Sequence, residues 1–291
     1  MIGKADRNMK YVLIVPVIAF ILIIAIFPLA FSLYMMLSQW QPGTHGIEFV
    51  GLKNYNAIVH DIRFWHALWL SFAYVAILIT LELTIGTLLA LVLQKDVRGK
   101  NFFRVSYMLP MLLSPVAVSY VWKMILDFNR GPVNHWLKIL NLQPVEWLSG
   151  NVSALLSLII VDIWQWTPFM ILTILAAFEA LPEELFEAAV VDGGSGFKIL
   201  QKITLPIALP VIITIVLLRT IDAFKVFDTI YILTGGGPGT ATELMNFYIY
   251  LRGFRAFDLG YGTAMSWLQL IVIIAMFMFF IRSLKRIGAL R

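Results

Sequence analysis

Six apolar runs, each long enough to cross a bilayer, recur along this 291-residue sequence at about 11–37, 67–93, 102–125, 152–177, 207–230 and 262–284. A spanning helix needs roughly 20 predominantly apolar residues. In hydrocarbon only a helix or a closed barrel satisfies every backbone N–H and C=O. Runs of this length predict an all-α integral membrane protein with six transmembrane helices in a single domain over 1–291. Composition agrees, because only 13% of the residues are charged where soluble domains carry about 25%. The first run begins near Tyr11, contains Pro16 and Pro28, and lacks a small-residue cleavage site. It is too long for a signal-peptide core and reads as a retained helix. The third, "NFFRVSYMLPMLLSPVAVSYVWKMI", is expected to be one kinked full span, with a broken or re-entrant segment as the alternative because Pro110 and Pro115 interrupt it.

The sequence has no cysteine, which excludes disulfides, thiolate chemistry and cysteine-based zinc sites. Its histidines, His45, His60, His66 and His135, stand at no metal-ligand spacing, so no metal site and no catalytic residue is expected. The net charge of +5 does not call for a nucleic acid, since cytoplasmic Lys and Arg orient membrane proteins. Lys4, Arg7 and Lys10 precede the first span; Lys95, Arg98, Lys100 and Arg104 follow the second; Arg282, Lys285, Arg286 and Arg291 follow the last. An even number of spans places all of them, and both termini, on the cytoplasmic side. The outer loops then carry Trp40, Trp65, Trp136 and Trp147, suited to anchoring at the headgroups.

The linker at 178–206 faces the cytoplasm yet is acidic, with Glu179, Glu183, Glu184, Glu187 and Asp192 against Lys198 and Lys202. Pro182 suits a first helical position, and Glu183 and Glu184 complement the helix dipole. The helix is expected to stop at Gly193-Gly194, which adopt a left-handed cap without a Cβ penalty. Ser195 would cap a second short helix, "GFKILQKI", ended by Leu205-Pro206 where span five starts. The result is a helix–turn–helix elbow at the membrane surface. Ala188 and Ala189 let another surface approach closely, and Glu187 and Asp192 offer charge to a basic partner. An ordinary interfacial connector would carry Lys and Arg on its polar face instead. Neither "GGSG" nor "TGGGPG" at 234–239 is followed by Gly-Lys-Ser/Thr, so neither reads as a nucleotide site, and the chain should hold no ATPase of its own.

Glu187-Ala188-Ala189, three residues, Gly193, nine residues, then Ile203 and Leu205-Pro206 resembles the signature of permease subunits of binding-protein-dependent ABC importers. "FDTIYILTGGGPGTATE", Phe227 to Glu243, resembles their carbohydrate branch, in particular the maltose and glycerol-phosphate type of first permease subunit. The resemblance covers nearly the whole chain. Gly194 departs from the Ala of many relatives, which is expected to loosen the elbow without removing it. The additional N-terminal helices and large outer domain of some maltose-type subunits have no counterpart, so six spans are expected to be the whole protein.

What the resemblance implies is a type I importer permease in a bacterial cytoplasmic (inner) membrane, paired with a second permease as a heterodimer. Two copies of a cytoplasmic ATPase would drive it, and an extracytoplasmic solute-binding protein would deliver a carbohydrate. ATP and magnesium would sit on the ATPase, with no cofactor on this chain. Glu187, Ala188, Ala189, Asp192, Gly193, Ser195, Ile203, Leu205 and Pro206 would form the coupling elbow seated in an ATPase cleft.

Ionisable residues inside spans are functional candidates because lipid disfavours charge. Span five offers Arg219, Asp222, Lys225 and Asp228 at i, i+3 spacing, as a cavity-lining strip or as a self-neutralising ladder, with Asp228 structural at the outer end. Span four offers "DIWQWTPF", in which rings can stack on sugar faces and Gln165 can bond hydroxyls. The same stretch lines the substrate site in maltose-type relatives, so Gln165, Trp166 and Phe169 join Arg219, Asp222 and Lys225 as pathway candidates, with Trp164 assigned to lipid or a neighbour. Glu82 is a lone acid expected to be hydrogen-bonded in place. The rival readings are a permease for a non-sugar solute, a secondary transporter coupling an ion through Glu82 or Asp162, and a non-transporting scaffold.

Overall fold

The computed structural model describes residues 4–40, 42–43, 46–94 and 99–286. His45, Lys95, Arg98 and Arg291 lie outside the described residues. The chain begins with α1 (Lys4–Ile21), a π-helical turn (Leu22–Ile26) and α2 (Phe27–Met35), followed by β1 (Ser38–Gln39), β2 (Glu48–Phe49) and α3 (Lys53–Val59). It continues through α4 (Ile62–Gln94), α5 (Lys100–Leu112), α6 (Pro115–Ile125), α7 (Pro132–Ile139) and α8 (Asn151–Glu179). Then come α9 (Glu183–Val191), α10 (Gly196–Ile199), a π turn (Leu200–Thr204), α11 (Leu205–Phe224) and α12 (Asp228–Leu233). The last elements are α13 (Met245–Tyr250), a π turn (Leu251–Arg255) and α14 (Leu259–Arg286).

Five of these stretches are long and apolar enough to span: Tyr11–Met35, Ile62–Gln94, Asn151–Glu179, Gly196–Leu233 and Leu259–Arg282. Their hydroxyl residues follow the logic of an apolar solvent. Thr80, Thr84, Thr220 and Thr263 each donate at 2.7 Å to the carbonyl four residues back, hiding the O–H against the helix that carries it.

The remaining segment differs from its expectation. α5 and α6 meet at 97°, a break and not a kink. Leu113 and Ser114 are extended, with ψ of 147° and 132°, because the residue before a proline is pushed out of the helical region. Pro115, with no N–H to satisfy, then starts α6.

Two compact units divide the chain. One comprises residues up to Ile62 and Ile249–Ile271. Within it, Asn54 Nδ2 donates to the carbonyls of Met36 and Ser38 at 3.1 and 2.9 Å and fixes the β1–β2 pairing to α3. Glycines permit two close approaches there. A Cβ on Gly260 would stand 2.0 Å from the Ser38 carbonyl oxygen, and one on Gly262 would stand 2.8 Å from the Cα of Gly253.

The other unit, Arg63–Tyr248 with Val272–Arg291, is built around α8, whose buried side chains include Ala154, Leu158, Val161, Met170 and Ile174. Gly86 lets α4 lie directly on it, since a Cβ there would meet the Cβ of Met170 at 2.7 Å. In the loop before α8, Asn134 donates to the carbonyls of Phe128 and Val145 and accepts from the Val145 N–H and Trp147 Nε1. Trp147 is thus tied into the protein, whereas Trp136 is 63% exposed. Trp164, assigned to lipid or a neighbour, is exposed and meets Trp122 edge-on at 5.7 Å.

Span five also differs at both ends. Leu205-Pro206 does not end a helix: α10, the π turn and α11 run on without a break. Pro206 occupies the first turn after the π bulge, where the altered hydrogen-bond register accommodates its missing N–H. At the far end α11 stops at Phe224, and Asp228 opens the separate helix α12.

Candidate functional site

α4 carries Tyr74 and Glu82, α8 carries Asp162, Gln165 and Trp166, and α11 carries Arg219. Asp162 and Trp166 share a face because they stand one helical turn apart. The three helices aim these groups at one point. Arg219 donates through Nε to Glu82 Oε2 and through Nη2 to Glu82 Oε1, both at 2.9 Å. The same Nη2 donates to Asp162 Oδ1, while Asp162 Oδ2 accepts from the Tyr74 hydroxyl at 2.8 Å. The guanidinium carbon lies 5.5 Å from the Trp166 ring centre, within cation–π range. Side-chain exposure is 3% for Arg219, 0% for Glu82 and 5% for Asp162. Such a cluster survives burial because each charge has charged hydrogen-bond partners that replace water.

A cavity of about 300 Å³ opens beside this cluster, lined by Asp162, Trp166, Arg219, Asp222, Lys225 and Asp228 together with Pro115 and the 226–229 turn. Four of the six pathway candidates, Trp166, Arg219, Asp222 and Lys225, meet here, with Asp162 and Asp228 beside them. Gln165 and Phe169 are not among its lining residues. Gln165 is buried and its Nε2 donates at 3.1 Å to the Leu113 carbonyl, which the α5–α6 break leaves outside any helix ladder. It therefore fills a backbone need created by the break.

The i, i+3 ladder on span five exists only in part. Asp222 and Lys225 pair at 3.2 Å with both side chains more than 60% exposed, an arrangement of small energetic weight. Arg219 turns instead to other helices, and the helix ends before Asp228, which lines the cavity. Glu82 is not a lone acid, since both its oxygens accept from Arg219. Asp162 and Tyr74 complete the cluster. The signal available for Asp162 was its charge inside a span; Tyr74 offered none.

The second feature is the elbow. α9 starts after Pro182, which takes the N-cap position with Glu183 as the first helical residue. At its end Gly193 has φ of +75°. The Gly193 N–H donates to the Val190 carbonyl at 3.0 Å and the Gly194 N–H to the Ala189 carbonyl at 2.8 Å, the paired bonds of a Schellman cap. Gly194 does not loosen this turn: a Cβ there would stand 2.6 Å from the Ala189 oxygen. Ser195 holds the N-cap backbone position of α10, but its hydroxyl makes no capping bond. A groove of about 570 Å³ runs along the elbow past Ala188, Ala189, Asp192, Gly193 and Ile203. Glu187 is exposed, and so are Val190, Val191 and Phe197, at 64%, 86% and 72%. At the neighbouring helix ends Arg104 pairs with Glu179 at 3.3 Å. Among the described residues no group of three or more His, Cys, Asp or Glu is placed to hold a metal ion.

The chain is similar to known proteins over most of its length. The chain is 34% identical over 273 residues to the trehalose/maltose transport system permease protein MalF of Thermococcus litoralis, covering 93% of this chain and 91% of that one. It is 34% identical over 265 residues to the trehalose transport system permease protein SugA of Mycobacterium tuberculosis, covering 90% of this chain and 84% of the relative. A chain in the crystal structure of a bacterial alginate ABC transporter in complex with alginate pentasaccharide-bound periplasmic protein superposes with a TM-score of 0.84. That match is 22% identical and covers 96% of this chain and 94% of the other, showing a shared fold, the type I ABC permease fold. Residues 82–289, which include the buried Glu82, the elbow and α14, match one family along their length, and the chain belongs to it: the inner membrane component of binding-protein-dependent transport systems.

Proposed function

We propose that this chain is the permease subunit of an ATP-driven carbohydrate importer, forming the solute pathway as a heterodimer with a second permease. The exposed apolar patch on a rigidly capped elbow carries this reading. Val190, Val191 and Phe197 project from a turn fixed by the Gly193-Gly194 cap, beside a groove with the carboxylate of Asp192 on its rim. Apolar side chains this exposed, beside fixed charge, suit a protein partner. That partner is a cytoplasmic ATPase, present in two copies, and ATP and magnesium belong to it. Glu187, Ala188, Ala189, Asp192, Gly193, Ser195, Ile203, Leu205 and Pro206 make up or support the contact.

An extracytoplasmic binding protein delivers the solute, in keeping with the family and with the names of its relatives, two of which are permeases for trehalose or maltose. Both termini face the cytoplasm of a bacterial inner membrane, by the distribution of Lys and Arg. The ion-coupled alternative draws no support, because Glu82 and Asp162 are both held by Arg219. Proteoliposomes containing the complete complex test the proposal. Saccharide uptake should require ATP inside and binding protein outside, and Glu187→Lys should abolish it with normal membrane insertion. Uptake that ignores ATP and follows an ion gradient would overturn it.

A further inference from the structure

The cluster beside the 300 Å³ cavity leaves one donor unused. Nε and Nη2 of Arg219 are committed to Glu82 and Asp162, while Nη1 has no hydrogen-bond partner among the described residues. Nη1 is not among the buried polar atoms sealed without a partner, so it reaches the cavity that Arg219 lines. A guanidinium in this setting differs from an ordinary anion site. Its charge is already opposed by two carboxylates, and Asp222 and Asp228 add two more around the same space against the single Lys225. The lining itself holds three carboxylates, Asp162, Asp222 and Asp228, against two cations, Arg219 and Lys225. Arg219 and Asp162 are buried, where charge acts with less screening than in water, while Asp222, Lys225 and Asp228 stand exposed at the rim.

We infer that this cavity selects an uncharged polyhydroxylated solute and rejects carboxylated, phosphorylated or sulfonated ones. Arg219 Nη1 donates to a ring or hydroxyl oxygen, the free oxygens of Asp222 and Asp228 accept from hydroxyls, and the Trp166 ring supplies the apolar wall for a pyranose. Neutral hydroxyls use both donor and acceptors. An anionic sugar would meet Arg219 and Lys225 only where each is already opposed by a carboxylate, in a lining whose net charge is negative, and would lose hydration without an unopposed cation to replace it. This inference rests on the carbohydrate reading above and narrows it to a charge class.

Saturation-transfer NMR on the assembled permease–ATPase complex in nanodiscs, without binding protein, tests the cavity separately from the step upstream of it. Trehalose and maltose are the neutral probes; glucose 6-phosphate and a glucuronate disaccharide are the anionic ones. Transfer to a neutral probe should exceed that to an anionic one by tenfold or more and fall at least fivefold in Trp166→Ala. Asp222→Asn with Asp228→Asn should raise the anionic-to-neutral ratio several-fold. Equal or stronger transfer to the anionic probes, dependent on Trp166, would overturn the charge assignment and leave the importer reading standing. Absence of transfer to every saccharide, while ATP-driven saccharide uptake persists in the complete system, would also overturn it. Failure of saccharide uptake itself would instead remove the carbohydrate reading on which it rests.

Discussion

Arg219 on α11 grips Glu82 on α4 with two hydrogen bonds of 2.9 Å across 137 residues of sequence. Both side chains are almost wholly buried, and the same guanidinium nitrogen reaches Asp162 on α8. Three helices are therefore registered in depth and rotation by one side chain.

Removing that side chain should be far worse than removing one of its partners. Arg219→Gln leaves two buried carboxylates without a cation and is expected to cost about 3–5 kcal/mol. Glu82→Gln keeps a hydrogen-bonding group against Arg219, leaves the Asp162 pair intact, and should cost roughly 1 kcal/mol. Thermal unfolding of the two purified variants in detergent decides this, and equal losses would contradict it.

The α4–α8 contact depends on the absence of a methyl group at Gly86. An added Cβ meets the Met170 Cβ at 2.7 Å, so Gly86→Ala forces the helices apart, costing about 1–3 kcal/mol. Met170→Gly removes the opposing atom but also empties a buried core position, so in a double-mutant cycle the double variant should lose less than the two single losses added together. Strictly additive losses would show that the contact is not the limiting one.

Gln165 should act on the α5–α6 break and not on solute. Gln165→Leu leaves the Leu113 carbonyl without its side-chain donor, a loss of about 1–3 kcal/mol if no other group replaces it. The sequence has no cysteine, so spin labels at Val105 and Val121 can report the 97° bend without background. The distance distribution should broaden in Gln165→Leu; an unchanged distribution would count against the role.

At the elbow, Gly194→Val should damage coupling more than Gly193→Asn. The first sets a branched side chain on a Cβ position 2.6 Å from the Ala189 carbonyl oxygen, whereas Gly193 has open space around its Cβ position and a left-handed φ that Asn tolerates. We expect uptake to fall at least tenfold in Gly194→Val with insertion preserved, and to fall by no more than about threefold in Gly193→Asn. Paired uptake and ATPase rates on one preparation make the comparison.

Much of this molecule was legible along the chain because its determinants are local. Each apolar run of bilayer length became a helix or, where Leu113-Ser114-Pro115 interrupts it, a bent pair. The stop at Gly193-Gly194 was readable because a left-handed cap favours glycine whatever surrounds it. The break at Pro115 was legible as an interruption, but its angle was not, since that depends on which neighbour takes up the freed carbonyl.

The sequence by itself determined that the chain is helical and membrane-spanning, and where the elbow turns, since hydropathy and backbone stereochemistry act within a few residues. Only the tertiary structure decided who pairs with whom. The regular spacing of Arg219, Asp222, Lys225 and Asp228 suggested a local ladder, yet Arg219 found Glu82 and Asp162, and α11 ended at Phe224 before the ladder could continue. Gln165 went to a backbone carbonyl for the same reason. A buried charge or amide takes the partner that removes its desolvation cost, and that partner is set by the rotation and depth of neighbouring helices, which no periodicity within one helix specifies.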